Sequence, residues 1–431
     1  MNKLISVKII LLYLIFTILP LYKNYGQVIT GRVSSYMYSW QIQDQQSGSS
    51  EHMRWYQTLV MNVKNIGGSK VSLHTNIRYT KDFINDSDYN HNWKFQYFYG
   101  QVKNVAQMID VKFGRHYIYS GVGNGSIDGI SGKIKVKKIA DFEFYGGMPV
   151  SWYHEIKVQK WNESRMYGFR IKPRMFLRTL VGISYVQKQM KPLPYKVPGK
   201  FTFKKWDITS DAMEFVGLDF YTQWSEKTSA YGRLDWDMTY DDIYRINFYY
   251  NRSLFNKFSL SAEYYYRKPR IYNNSIFSVF TQHDNREYWF RIYYNITKNL
   301  SVSGGTSVVV YSGDKGYRHN VSIYSNRFSI GYNHTSGYSG RLDGLTGSVN
   351  YQIRNNIWLK GGTNISRYKL FEHLEDFENV LSTFAGISIT PKKTCTLDIE
   401  GQGLHNYNHS SDFRLLLRAN YWFSFDKMRK N

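Results

Sequence analysis

The sequence predicts an all-β protein, a transmembrane antiparallel up-and-down β-barrel, and three observations carry that prediction. Apolar and polar residues alternate along runs of about ten residues, the length a tilted strand needs to cross a bilayer. Aromatics make up 18% of the chain, with 39 Tyr, 26 Phe and 11 Trp, yet mean hydropathy is negative. The links between the runs alternate between short and long. A strand that meets lipid on one face needs an apolar residue only at every second position, so a polar chain rich in aromatics fits a membrane barrel better than a soluble domain.

The N-terminus comes first in the argument because it sets the compartment. Residues 1–26 read as a signal peptide, with Lys3, an apolar run over 9–21 and Gly26 near the expected cut. That run falls short of the ~20 residues of a spanning helix. The single cysteine, Cys395, offers no internal disulfide and does not follow the signal as a lipidation site. The barrel is expected over 27–425, followed by a short periplasmic tail at 426–431.

Alternation is cleanest in FRLLLRANYWFSF over 413–425. Phe413, Leu415, Leu417, Ala419, Tyr421, Phe423 and Phe425 share one face, while Arg414, Arg418, Asn420 and Ser424 lie on the other with Leu416 and Trp422. The same split recurs over 71–80, 244–251, 258–267 and 287–296. Short links are expected at 67–68, 140–141, 172–174, 298–299, 326–327, 355–356 and 391–393. Long polar links are expected at 43–53, 81–92, 120–129, 150–163, 190–210, 269–284, 368–379 and 404–411. The best strand count is about 22, in a range of about 16–22, with both termini periplasmic. A soluble β-sandwich would alternate too, but its apolar faces would not end so often in Tyr or Trp, and its links would not take turns in length.

Two segments carry a family resemblance. The closing Tyr421-Trp422-Phe423-Ser424-Phe425 looks like the aromatic final strand by which the barrel-assembly machinery recognises bacterial outer-membrane barrels, though here a tail follows the Phe. Val111-Lys112-Phe113-Gly114-Arg115 and the Gly-rich SGVGNGSIDGISG of 120–132 are similar to a strand-loop-strand element of several porin-type families. The resemblance implies a channel in the outer membrane of a Gram-negative bacterium and assigns no single family. Strict alternation from Phe113 would aim Arg115 at lipid, so Arg115 is expected at the rim or after a bulge.

The formal net charge is +23, from 56 Lys+Arg against 33 Asp+Glu. Export argues against nucleic acid as the partner, leaving anionic lipid or a basic pore wall. Placing the apolar faces outward turns a basic set inward: Arg78, Lys112, Lys133, Lys135, Lys137, Arg170, Lys172, Arg178, Arg233, Arg245, Arg267, Arg291, Arg414 and Arg418. Asp235 joins them, and Asp110, Asp219, Asp237, Glu263 and Glu287 are carboxylates available for cross-strand pairing. Inner aromatics such as Tyr249, Trp289 and Trp358 could stack on solutes or pack against an infolded loop, for which the basic link 190–210 is the candidate.

Catalysis finds no support. The histidines are scattered without metal spacing, no nucleophile elbow or phosphate loop occurs, and His334 and Ser336 fit a loop composition. No cofactor is implied. The reading is a porin-like channel for passive diffusion of small hydrophilic, anionic solutes, surrounded by outer-membrane lipid and compatible with a homo-oligomer. The alternative is a plugged barrel whose outer loops bind a partner protein or surface polymer.

Overall fold

The computed structural model describes residues 27–44, 48–84, 92–151, 153–173, 178–190, 213–255, 257–269, 283–371, 376–406 and 412–426. The expected signal peptide, nearly all of the expected tail and all but the first residue of the longest expected link, 190–210, lie outside the described residues. Among the described residues the chain forms 22 strands. The first seven are β1 (Val28–Asp44), β2 (Gly48–Lys64), β3 (Val71–Asp82), β4 (Trp93–Val105), β5 (Ile109–Ser120), β6 (Gly123–Val136) and β7 (Ala140–Pro149). Then come β8 (Arg165–Pro173), β9 (Thr179–Gln189), β10 (Met213–Ser225), β11 (Thr228–Asp237), β12 (Asp242–Leu254), β13 (Phe258–Arg267) and β14 (Asn285–Asn295). The last eight are β15 (Leu300–Tyr311), β16 (Asp314–Ser325), β17 (Phe328–Gly337), β18 (Arg341–Arg354), β19 (Ile357–Lys369), β20 (Glu378–Lys392), β21 (Cys395–His405) and β22 (Asp412–Asp426).

Each strand pairs antiparallel with the next, and β22 pairs with β1 from Val28↔Asp426 to Ser39↔Leu415, which closes the sheet. Closure leaves no row of unpaired backbone groups, the condition for strands to stand in hydrocarbon. Outward positions are apolar and uncovered, as at Leu218 (46% exposed), Val349 (51%) and Ile365 (53%). With lipid against that face, the polar positions between them turn to the lumen.

Short turns gather at the end that also holds the termini of the barrel, and the long links at the other, as the sequence predicts. Two of the expected long links are different. Across 43–53 the strands β1 and β2 continue to the pair Asp44↔Gly48, and across 120–129 the strands β5 and β6 meet at the pair Ser120↔Gly123. The reason is common to both: where a strand leaves the apolar band neither face needs to be oily, so the every-second-residue signal disappears while the backbone ladder goes on.

The β5–β6 hairpin also leaves the wall. β4 pairs with β5 no further than Phe98↔Arg115, and β7 pairs with β6 only from Ile127↔Pro149; beyond these points the two strands pair with each other alone. The bend falls at Gly114, whose φ is 113° and where a Cβ would lie 2.5 Å from the Phe98 carbonyl oxygen, so no other residue fits. The start of the β7–β8 link fills the vacated edge, Phe95 N–H donating to the His154 carbonyl at 2.8 Å.

Candidate functional site: the barrel lumen

The bent hairpin turns inward. On β9, β10 and β11 the lipid-side residues are Ile183, Leu218 and Leu234, whereas the hairpin touches the alternate set, Ser184, Gly217 and Arg233. Val122 N–H donates to Ser184 Oγ at 3.0 Å, Arg233 donates to the Gly121 carbonyl at 3.0 Å, and Ser120 Oγ donates to Glu143 at 2.8 Å. Beneath the tip lies a small apolar core of Ile118, Ile127, Tyr145, Met166 and Val186, with Val122 and Phe215 against it. Burying such side chains stabilises the docked hairpin by about 1.5–3 kcal/mol each. Its other face is open: Tyr117 is 55% and Tyr119 75% exposed, looking across the lumen.

Arg115 anchors the base of the hairpin. Its Nε and Nη2 each donate to a carboxylate oxygen of Asp128 at 2.7 Å, and Nη1 donates to the carbonyls of Phe95 (3.1 Å) and Glu155 (2.5 Å). The guanidinium thus joins both strands of the hairpin to the segments on either side of the gap. Arg115 does not face lipid: it follows directly on the irregular backbone at Gly114 and is buried between the hairpin and the neighbouring segments.

Around this element most inward cations are paired. Lys133 contacts Asp141 at 2.8 Å and Glu143 at 3.5 Å, Lys135 meets Asp110 at 2.7 Å, and Lys172 meets Glu143 at 2.7 Å. Arg170 contacts Asp219 at 2.5 Å. Asp235, almost wholly buried, is shared by Arg233 at 2.8 Å and Arg245 at 2.5 Å. Further round, Arg291 meets Glu263 at 3.2 Å, Arg318 meets Glu287 at 2.9 Å, Arg414 meets Asp412 at 2.6 Å and Arg418 meets Asp398 at 3.0 Å.

The wall formed by β22, β1, β2, β3 and β4 differs. There a recess of about 680 Å³ is lined by Arg32, Arg78 and Arg418 together with Tyr36, Asn76 and Asn420. Arg32 and Arg78 have no carboxylate in ion-pair contact among the described residues. Arg78 stands over the Tyr56 ring at 5.7 Å, and Tyr56 stacks on Tyr36 at 4.6 Å. The Arg78 Nε and Asn76 Oδ1 atoms are buried without hydrogen-bond partners among the described residues. Lys112, on the same side of the hairpin base, stands 5.6 Å from the Tyr99 ring.

Two residues of the expected inward set lie at the barrel end, and a third, Arg267, is inward as expected. Lys137 follows β6 in its turn, and Arg178 precedes β9 with φ of 62°, donating to the Trp224 carbonyl at 3.2 Å at the barrel end. Arg267 donates at 3.5 Å to Tyr244 Oη, whose ring lies 4.8 Å from Phe215 on the inner face. Tyr244 was expected outward, but the register shift opposite Asp235 and Trp236 leaves it without a partner on β11 and turns it in. Sequence reading missed Arg32, Glu143 and Ser184, which belong to the lumen, and the inward hairpin itself; the glycines of 114–132 were its visible signal.

The chain matches no known protein family and no curated protein. Among solved structures it is similar to a ferric enterobactin receptor, at 8% identity and a TM-score of 0.59, over 92% of this chain and 81% of the other. A mutant of that receptor from Pseudomonas aeruginosa gives 10% identity and a TM-score of 0.50 over 93% of this chain and 81% of the other. The outer membrane protein OpdK from the same organism gives 9% identity and a TM-score of 0.42 over 93% and 99%. The likeness is one of fold. The class it defines, with the closed 22-strand sheet, is the large antiparallel up-and-down β-barrel.

Proposed function

We propose that the protein is a channel in the outer membrane of a Gram-negative bacterium, reached by export on a signal peptide, for passive diffusion of small hydrophilic solutes with a preference for anions. The observation that carries this reading is the pairing of an inward hairpin, which narrows the lumen from one side, with a recess on the adjoining wall where Arg32 and Arg78 have no carboxylate in ion-pair contact among the described residues. Cations without counter-ions in a water-filled passage concentrate anions there and exclude cations. The paired residues Lys133, Lys135, Arg170, Lys172, Arg233, Arg245 and Asp235 brace the wall that holds the hairpin. Lys112 and Arg418 add positive potential beside the recess, and Lys137 and Arg178 act at the mouth.

In this orientation the termini and short turns face the periplasm, the final strand is presented to the barrel-assembly machinery, and no residue is assigned a catalytic role. Planar-bilayer recording of the refolded protein across a salt gradient tests the proposal. Stable conductance with a reversal potential of anion-selective sign is expected. A silent barrel would favour a plugged receptor, and a cation-selective sign would refute the charge argument.

A further inference from the structure

The recess in the wall of β22, β1, β2, β3 and β4 is hollow for a reason written in the strand register. Asn420, Ser34, Thr58 and Arg78 pair in turn across four neighbouring strands and form a single inward row. The two central side chains are short, so the wall sinks between the longer residues around them. Three strand spacings make the row about 14 Å long.

Part of the lining is already satisfied. Ser34 Oγ donates to Asn420 Oδ1 at 2.8 Å, Asn420 Nδ2 donates to Thr396 Oγ1 at 3.1 Å, and Arg418 meets Asp398 at 3.0 Å. The groups left open are of two kinds. Arg32 and Arg78 form no ion pair among the described residues, and the contact of Arg78 with the Tyr56 ring takes up none of its N–H donors. The Thr58 and Tyr36 hydroxyls and the Gln96 amide line the same recess and form no hydrogen bond among the described residues. No carboxylate lines it.

An anion that offers acceptors alone matches only the first kind. Guanidinium groups take a carboxylate through paired N–H donors. A hydroxyl or an amide carries an acceptor as well as a donor, and a simple polyanion leaves that acceptor unpaired. Sugar hydroxyls are donor and acceptor at once, so they complete both. We propose that the recess binds an acidic sugar, a short oligosaccharide bearing uronate carboxylates, with its carboxylates on Arg32 and Arg78 and its ring hydroxyls on Thr58, Tyr36 and Gln96. The row is long enough for two linked rings. The assignment rests on the lumen being a passage for anionic solutes and adds the sugar to the anion.

Isothermal titration of the full-length protein refolded in detergent tests this, because it reads binding without current. Digalacturonate is expected to bind at least about tenfold more tightly than maltose, which lacks the charge, and than suberate, a dicarboxylate that lacks the hydroxyls. The variant Thr58→Val/Gln96→Leu removes no charge and is expected to weaken digalacturonate binding about tenfold while suberate binding stays within about twofold. Arg32→Gln/Arg78→Gln is expected to lose both ligands. Heat-modifiable gel mobility shows that each variant is folded. Maltose or suberate binding as tightly as digalacturonate, no digalacturonate binding by the folded parent, or undiminished binding by the folded Thr58→Val/Gln96→Leu variant would overturn the proposal. A silent or cation-selective channel would count against the proposed function and leave the titration to decide the sugar site by itself.

Discussion

Two sides of the same lumen solve opposite problems. Along β7 to β11 the inner face is filled: the hairpin tip lies on Ser184 and Gly217, and the neighbouring Asp219, Asp235 and Glu143 all meet cations. Along β22 and β1 to β4 the inner face is hollow, and two of its arginines have no carboxylate in ion-pair contact among the described residues. The difference teaches that excess charge alone does not locate a binding wall. Charge next to a packed element serves the packing, because a buried ion must be matched; charge facing water is left to act on solutes.

The comparison can be broken most severely by removing the hairpin. Replacing 117–125 with a two-residue Asn-Gly turn is expected to raise single-channel conductance severalfold, since it takes away the apolar core and the tip together. Gly217→Leu is the milder version. A Cβ there would stand 2.4 Å from Val122 Cγ1, so the larger side chain pushes the tip off the wall and conductance rises, though less than on deletion.

The packed side should respond next in stability. Asp235→Asn leaves Arg233 and Arg245 without their shared carboxylate, and because both arginines retain some solvent the loss is expected at about 2–3 kcal/mol, read from urea unfolding in lipid vesicles. The hollow side should show the smallest change in stability and a change in selectivity instead. Arg32→Gln/Arg78→Gln is expected to move the reversal potential towards cations. The charge-neutral replacement Arg291→Gln/Glu263→Gln, which removes a pair 3.2 Å apart, is expected to leave it in place. Raising salt to 1 M should shrink the Arg32/Arg78 effect, as the screening length falls to about 3 Å.

Much of the fold was legible because lipid imposes a strict rule on every second residue. The strands over 258–267 and 413–425 lie where their alternation places them, and the 22 observed strands agree with the best count. The rule has nothing to say above the apolar band, which is why 43–53 and 120–129 read as loops when they hold paired strands. Which element turns inward was also hidden. The basic link 190–210 had the right composition for it, and 191–212 falls outside the described residues, whereas the hairpin of 116–126 owes its direction to one backbone angle at Gly114. The inward arginines and lysines could be found by counting alternate positions. Which of them would meet carboxylates could not, because pairs such as Arg170 with Asp219 join strands that are not neighbours.

The narrowing of the lumen depends on the hairpin tip resting inside the barrel against β10. Cysteines introduced by Val122→Cys and Gly217→Cys, with Cys395→Ser to remove the native thiol, test that contact directly. The built Cβ on Gly217 lies close enough to the Val122 side chain to suit the Cβ separation of about 3.5–4.5 Å that a disulfide needs. Oxidation of the refolded protein should join the two in nearly every molecule and leave the channel conducting. Free thiols after oxidation of the folded barrel would contradict the account.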